Sequence, residues 1–190
     1  MLFSTMTFIY VFLPIVCTLY LLIRKELRNH LLLLASLIFY AWGEPKYLLV
    51  MLSTIGVNYI FALLIESTKD KNSDLSGEQS TSNKGLKQHT PLICLIIALV
   101  INLSILGYFK YFNFLCENIN LLFKANIDFI KVVMPIGISF YTFQAISYLV
   151  DVYRGDTRAQ RNIYKLALFI SLFPQLIAGP IVKYHDVIET

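Results

Sequence analysis

Charge is scarce in this sequence. Asp, Glu, Lys and Arg make up only 15% of its 190 residues, whereas 57% are hydrophobic and the mean hydropathy is +0.65. Ordinary soluble domains carry about 25% charged residues. That deficit excludes a soluble globule and points to an all-α, polytopic helical membrane protein. At about 20 residues per crossing, the length allows five to six membrane segments, some of them broken or re-entrant. Cysteine is also sparse. Cys17, Cys94 and Cys116 stand singly in apolar runs, with no C-x-x-C or Cys/His pairing. This excludes a zinc site and a disulfide framework, and leaves the three as small hydrophobes. No Gly-rich phosphate loop, metal-binding motif or G-x-S-x-G elbow occurs, so the residues themselves propose no catalytic group and no metal. His30 and His89 fall in polar connections. His185 beside Asp186 makes no triad, which requires a spatial constellation rather than adjacency. The net charge of +4 comes from basic residues that flank apolar runs, a pattern that excludes nucleic acid as a partner. No internal repeat is present.

What the chain does contain is a series of apolar runs. Leu2 to Ile23 has no basic residue ahead of it and no small-x-small site after it, so it reads as a retained span rather than a cleaved signal. Leu31 to Trp42 is short for a crossing unless 27–30 extend the helix. Gly43-Glu44-Pro45 is a turn, with proline opening the next helix from its first position. Tyr47 to Ile65 is a third span. These runs form an amino-terminal membrane unit, 1–66. Residues 67–91 lose every hydrophobic period and read as a flexible polar cytoplasmic loop, too polar to offset its ordering entropy. The remainder, 92–190, is a membrane core segment. Its span Leu92 to Phe112 is followed by 113–131, where Asn113, Glu117, Asn120, Lys124, Asp128 and Lys131 share one face. That spacing predicts an amphipathic helix lying in the interface or packed on a neighbouring subunit.

The basic residues predict orientation. With the amino terminus extracytoplasmic, all five arginines (Arg24, Arg28, Arg154, Arg158 and Arg161) fall on the inner side. The outer side then holds only Lys46, Lys110, Lys124, Lys131 and Lys183.

The stretch 133–184 is apolar yet repeatedly interrupted, by Pro135, Gly137, Pro174, Gly179 and Pro180. Broken backbone at membrane depth persists only where protein or a water-filled cavity satisfies its polar groups. Tyr141, Gln144, Tyr148 and Asp151 recur at i, i+3, i+7 and i+10, which places one polar stripe on a helix. Two readings of that stripe stand: hydrogen bonds that hold helices together, or the lining of a substrate path. Asp151 and Arg154 are spaced for an ion pair. Ile163 to Phe173 is too short to cross before Pro174, and two readings stand: half-helices that build a site near the membrane midplane, or a single kinked span.

Three long motifs carry a resemblance: Met134-Pro-Ile-Gly-Ile-Ser-Phe-Tyr-Thr-Phe-Gln144, Tyr148-Leu-Val-Asp-Val-Tyr-Arg154-Gly, and Phe173-Pro-Gln-Leu-Ile-Ala-Gly-Pro-Ile-Val-Lys-Tyr184. With Phe39-Tyr-Ala-Trp-Gly43 before them, they resemble the membrane-bound O-acyltransferase family, nearest its bacterial alginate O-acetylation branch. The resemblance implies transfer of an acyl group, acetyl in that branch, to hydroxyls of an extracytoplasmic polysaccharide such as alginate. It implies no bound cofactor, an acyl donor that is acetyl-CoA or a carrier-linked acyl group, and exported polysaccharide-acetylation proteins as partners in the bacterial inner membrane. Gln144, Tyr148, Gln175 and Tyr184 are then candidates to line the substrate tunnel, with the five Pro and Gly breaks shaping it. The family's catalytic histidine lies beyond the last motif. The expectation is therefore an amino-terminal portion, incomplete as a domain and inactive alone, that needs its carboxy-terminal part or a second chain. The alternative is a small non-catalytic scaffold of an acylation complex.

Overall fold

The computed structural model describes residues 7–43, 45–74, 89–123, 131–172 and 174, and among these every regular element is a helix. A π-helical turn, Phe8–Phe12, leads into α1, Leu13–Leu22. Then follow α2, Lys25–Gly43, and α3, Pro45–Asp74. The remaining helices are α4, Thr90–Phe123, α5, Ile138–Arg154, and α6, Ile163–Ser171.

The long helix α3 is the hub, packing against α2, α4, α5 and α6. Its buried residues Met51, Thr54, Ile55, Asn58, Ala62 and Ile65 recur at helical spacing along one face. They meet Leu95, Ala98 and Leu106 of α4, Tyr141, Ala145, Tyr148 and Leu149 of α5, and Leu166 and Ile170 of α6 in one core. A second, smaller core joins the amino terminus to α2, where Phe8 packs edge-on against Phe39 with ring centres 5.3 Å apart.

The faces turned away from this core are as apolar as the core itself. Leu49, Leu52, Ile60 and Leu64 of α3 are exposed, as are Leu92, Ile93, Ile96, Ile97, Val100 and Leu103 of α4. Ser36, Thr54, Asn58, Asn102, Thr142, Gln144, Asp151 and Ser171 are instead buried. Water would penalise that outer surface, whereas hydrocarbon accepts it and drives polar groups inward. Residues 45–71 and 90–122 are long and apolar enough to cross a membrane. Each has a charge-free stretch, 47–65 and 91–109, about 28 Å long at the ordinary helical rise and close to the hydrocarbon thickness.

The basic residues segregate by end. His30 lies against Tyr164, with ring centres 5.9 Å apart, while Lys69 Nζ donates to the Tyr153 carbonyl at 2.9 Å. The α1–α2 joint, the far end of α3 and the α5–α6 connection therefore share one end of the bundle. Arg24, Lys25, Arg28, Lys69, Lys71, Arg154, Arg158, Arg161 and Lys165 gather there. The opposite end is marked by Tyr47 against Phe109, ring centres 5.6 Å apart, and holds Lys46, Lys110 and Lys131.

Several boundaries differ from the sequence reading. Residues 27–30 do extend α2, and Pro45 does open α3. Yet α3 continues past Ile65 through the first eight residues of the polar segment, to Asp74. Thr68 Oγ1 folds back onto the Leu64 carbonyl at 2.7 Å, Lys69 is held by the last turn of α5, and Glu66 by the α5–α6 connection. Residues 75–88 lie outside the described ones. Residues 113–123 likewise continue α4 without a break. Asn113 forms two bonds with Val132, Nδ2 to the carbonyl at 2.6 Å and Oδ1 from the amide at 2.9 Å. The described part of the expected amphipathic helix is thus the end of a longer helix.

Candidate polar seam between the helices

The geometry starts from the broken entrance to α5. Pro135 is buried, and Gly137 adopts φ 74°, ψ 7°, a left-handed conformation that costs a residue with a Cβ about 1–2 kcal/mol. Directly after Gly137, Ile138 begins a helix that buries Tyr141, Gln144, Tyr148 and Asp151, the whole of the polar stripe. The stripe therefore faces protein and not lipid.

Each member has its own task. Gln144 Nε2 donates to the Phe169 carbonyl at 2.7 Å. Phe169 is in the last turn of α6, where carbonyls have no partner within the helix. Gln144 thus satisfies a helix end that would otherwise sit orphaned in the apolar core. Tyr148 Oη accepts from the Gln160 amide at 2.8 Å and so holds the α5–α6 connection. The same connection is strapped to α3 by Tyr59 Oη donating to the Arg161 carbonyl at 2.8 Å, and by the Ala159 amide donating to Glu66 Oε1 at 3.3 Å. The Asp151 carbonyl accepts from the amides of Gly155 and Asp156, both at 3.0 Å, closing the helix through a left-handed Gly155. Asp151 is buried while Arg154 is exposed. The fork of hydrogen bonds at the helix end organises this corner.

Helix α6 ends at Ser171. Leu172 leaves the helix at φ −57°, ψ 112°, as expected where a proline two positions on withholds its N–H. Pro174 is exposed. The candidates Gln175, Gly179, Pro180 and Tyr184 lie outside the described residues.

Around the end of α6 the seam holds hydroxyls with unused capacity. Thr142 Oγ1 and Ser171 Oγ are buried with no hydrogen-bond partner among the described residues. Tyr141 Oη is buried too, with the hydroxyl-bearing ring of Tyr40 of α2 beside it. Buried polar atoms are normally paired, so this concentration on α5 and α6 is unusual. It lies in the half of α5 away from the basic end.

The sequence reading missed one polar partnership altogether. Asn58 of α3 and Asn102 of α4 bond reciprocally, Nδ2 to Oδ1 at 2.9 and 3.0 Å. Each spends its second N–H on its own helix, Asn58 on the Thr54 carbonyl at 2.7 Å and Asn102 on the Ala98 carbonyl at 2.8 Å. Both side chains are fully buried. The signal was available in two asparagines that each interrupt the middle of a charge-free run.

Among the described residues no group of three His, Cys, Asp or Glu could hold a metal ion. His30 and His89 are exposed.

An inward polar seam beneath lipid-facing aliphatic helices defines a helical membrane protein. No family model and no solved structure matches the chain. Curated relatives do. The chain is 37% identical to the probable alginate O-acetylase AlgI of Pseudomonas aeruginosa, over all of this chain and 34% of that protein. It is 38% identical to its counterpart in Pseudomonas syringae pv. tomato, with the same coverage. It is 34% identical to the peptidoglycan O-acetyltransferase of Helicobacter pylori, over 98% of this chain and 38% of that protein. The chain spans about a third of the length of the curated relatives it matches. It is similar along its length to part of these O-acetylases, consistent with a portion of a membrane-bound O-acyltransferase-type protein and in agreement with its motifs.

Proposed function

We propose that the chain is the amino-terminal portion of a bacterial inner-membrane enzyme that transfers an acyl group, acetyl by preference, to hydroxyls of an extracytoplasmic polysaccharide. The observation that carries this reading is similarity over the whole chain to acetylases of two different glycans, alginate and peptidoglycan. Acyl transfer to a sugar hydroxyl is what those two names share. The acceptor we favour is alginate or a similar polymer. The donor is acetyl-CoA or a carrier-linked acyl group, and exported acetylation proteins complete delivery.

In this reading the portion supplies scaffold and part of the substrate path. The chain makes five to six membrane segments, including a broken one at α6. Its amphipathic stretch 113–131, whose first part closes α4, meets the membrane interface, and its amino terminus is extracytoplasmic. Support for that orientation comes from the gathering of basic residues at one end of the bundle, as cytoplasmic surfaces require. Gln144 and Tyr148 act by holding the wall of the path. Gln175 and Tyr184 extend it, with Pro135, Gly137, Pro174, Gly179 and Pro180 setting its bends. The catalytic histidine is supplied from outside residues 1–190, so these residues do not catalyse transfer alone.

Expression of the complete protein in a strain lacking its polysaccharide O-acetylase tests this directly. Restored ester-linked acetate on the polymer is the expected result. A stable, membrane-inserted protein that restores none would favour the non-catalytic scaffold. Residues 1–190 expressed alone should give no acetate above the empty-vector level.

A further inference from the structure

The corner where α1, α2 and α6 meet carries a feature that acyl transfer does not use. Arg24 and Lys25 are exposed at the α1–α2 joint, and Arg28 follows within one turn of α2. The Arg28 guanidinium sits over the Tyr20 ring, 4.9 Å from its centre, while its Nε is buried and has no acceptor among the described residues. The contact of His30 with Tyr164 brings α6 alongside, adding exposed Arg161 and Lys165 to the same corner. In sequence, Glu26 is the one acidic residue between Arg24 and His30.

Apolar exposure borders this charge directly. Leu21 and Leu22 are 74% and 77% exposed, Leu27 is 54% exposed, and Tyr164 shows 58% of its surface. A soluble anion would satisfy the basic groups and leave these side chains uncovered. An amphiphile satisfies both halves, its phosphate on the guanidinium and ammonium groups and its acyl chain along the leucines. Arg suits the phosphate through two parallel N–H donors, and its cationic plane remains free to stack on an aromatic ring. Basic pockets between membrane helices on the cytoplasmic side are the general setting for anionic lipid recognition.

We infer that this corner is a binding site for one anionic phospholipid, whose headgroup phosphate is held by Arg28 with Arg24 and Lys25. Arg161 and Lys165 form the rim from the α6 side. The site anchors the α1–α2 joint and α6 to the same lipid and is independent of the acyltransferase reading.

The test uses the complete protein in detergent, with native mass spectrometry to compare retained phosphatidylglycerol against phosphatidylcholine. The wild type should retain phosphatidylglycerol preferentially. Arg24→Gln/Lys25→Gln/Arg28→Gln should weaken that retention by about fivefold for each charge removed, the ordinary contribution of one basic side chain at an anionic surface. Lys71→Gln/Arg154→Gln, at the same end of the bundle on the α3–α5 side, should leave it unchanged. If Arg28→Gln prevents folding, the exposed pair Arg24→Gln/Lys25→Gln carries the same comparison. No headgroup preference in the wild type would overturn the inference, as would equal loss in the Lys71/Arg154 variant. Displacement of the lipid by inorganic phosphate would also overturn it, by showing a site for any phosphate anion.

Discussion

The reciprocal amide pair between α3 and α4 makes a sharp prediction. Replacing Asn58 with Leu removes one donor and one acceptor from Asn102, which stays buried at 1% exposure. Asn102 keeps its bond to the Ala98 carbonyl, so one N–H and one carbonyl oxygen are orphaned. An orphaned buried polar group costs about 1–3 kcal/mol in soluble proteins. In membranes hydrogen bonds average nearer 0.6 kcal/mol because the unfolded reference state also finds partners. For two orphaned groups a loss of about 2 kcal/mol follows. Asn102→Leu should cost about the same, by symmetry. The double variant removes both orphans and leaves two apolar side chains facing each other, so it should be less destabilised than either single. Denaturant titration of the complete protein in mixed micelles, read by helical circular dichroism, gives the four free energies of the cycle. Costs that simply add in the double variant would refute the reasoning, because they would show that the two amides do not depend on each other.

Other expectations follow from the same geometry. Gly155→Ala should cost about 2 kcal/mol of stability, because Gly155 has φ 89° and its added Cβ would come within 2.7 Å of Lys69 Nζ, the group that holds the Tyr153 carbonyl. Gly155→Asn should cost less than Ala in the same titration, since Asn accepts the left-handed backbone more readily. Gln144→Leu should destabilise by about 1–3 kcal/mol by orphaning the Phe169 carbonyl, and protease sensitivity of the α5–α6 region should rise. Tyr141→Phe should change stability by no more than about 1 kcal/mol, since Tyr40 is the polar neighbour beside that hydroxyl, and should lower acetate transfer if it serves the substrate path. Full activity in that variant would remove Tyr141 from the path.

The class of protein was legible because bilayer crossing is written in composition and run length. Tyr47 to Ile65 and Leu92 to Phe112 could be recognised without any tertiary information. Their ends could not. Hydropathy detects what lipid will accept, whereas α3 extends to Asp74 through bonds to residues about 90 positions away, such as Glu66 to Ala159 and Lys69 to Tyr153. The polar stripe on α5 was readable from its spacing, and the structure buries all of it. What spacing could not supply was the partner of each group. Gln144 meets a helix end 25 residues on, and Asn58 meets Asn102 across 44 residues. A lone asparagine in an apolar run announces that a partner exists without saying which one.

The distribution of satisfied and unsatisfied polar groups separates scaffold from site. Between α3 and α4 the amides use both N–H donors, and between α3 and the α5–α6 connection each polar contact has its mate. Such closed arrangements hold a bundle together and leave little capacity for anything else. Around the end of α6 the balance is different. Gln144 satisfies the Phe169 carbonyl, yet Thr142 and Ser171 keep hydroxyls without partners among the described residues, and Tyr141 has Tyr40 beside its own. Each could accept and donate a hydrogen bond. An enzyme that carries esters and sugar hydroxyls needs groups of that kind, placed where lipid is excluded. The scaffold reading would instead require the seam to be as closed as the Asn58–Asn102 pair. The activity of Tyr141→Phe therefore divides the two readings: a hydroxyl that serves only its contact with Tyr40 is dispensable for transfer, and a path hydroxyl is not.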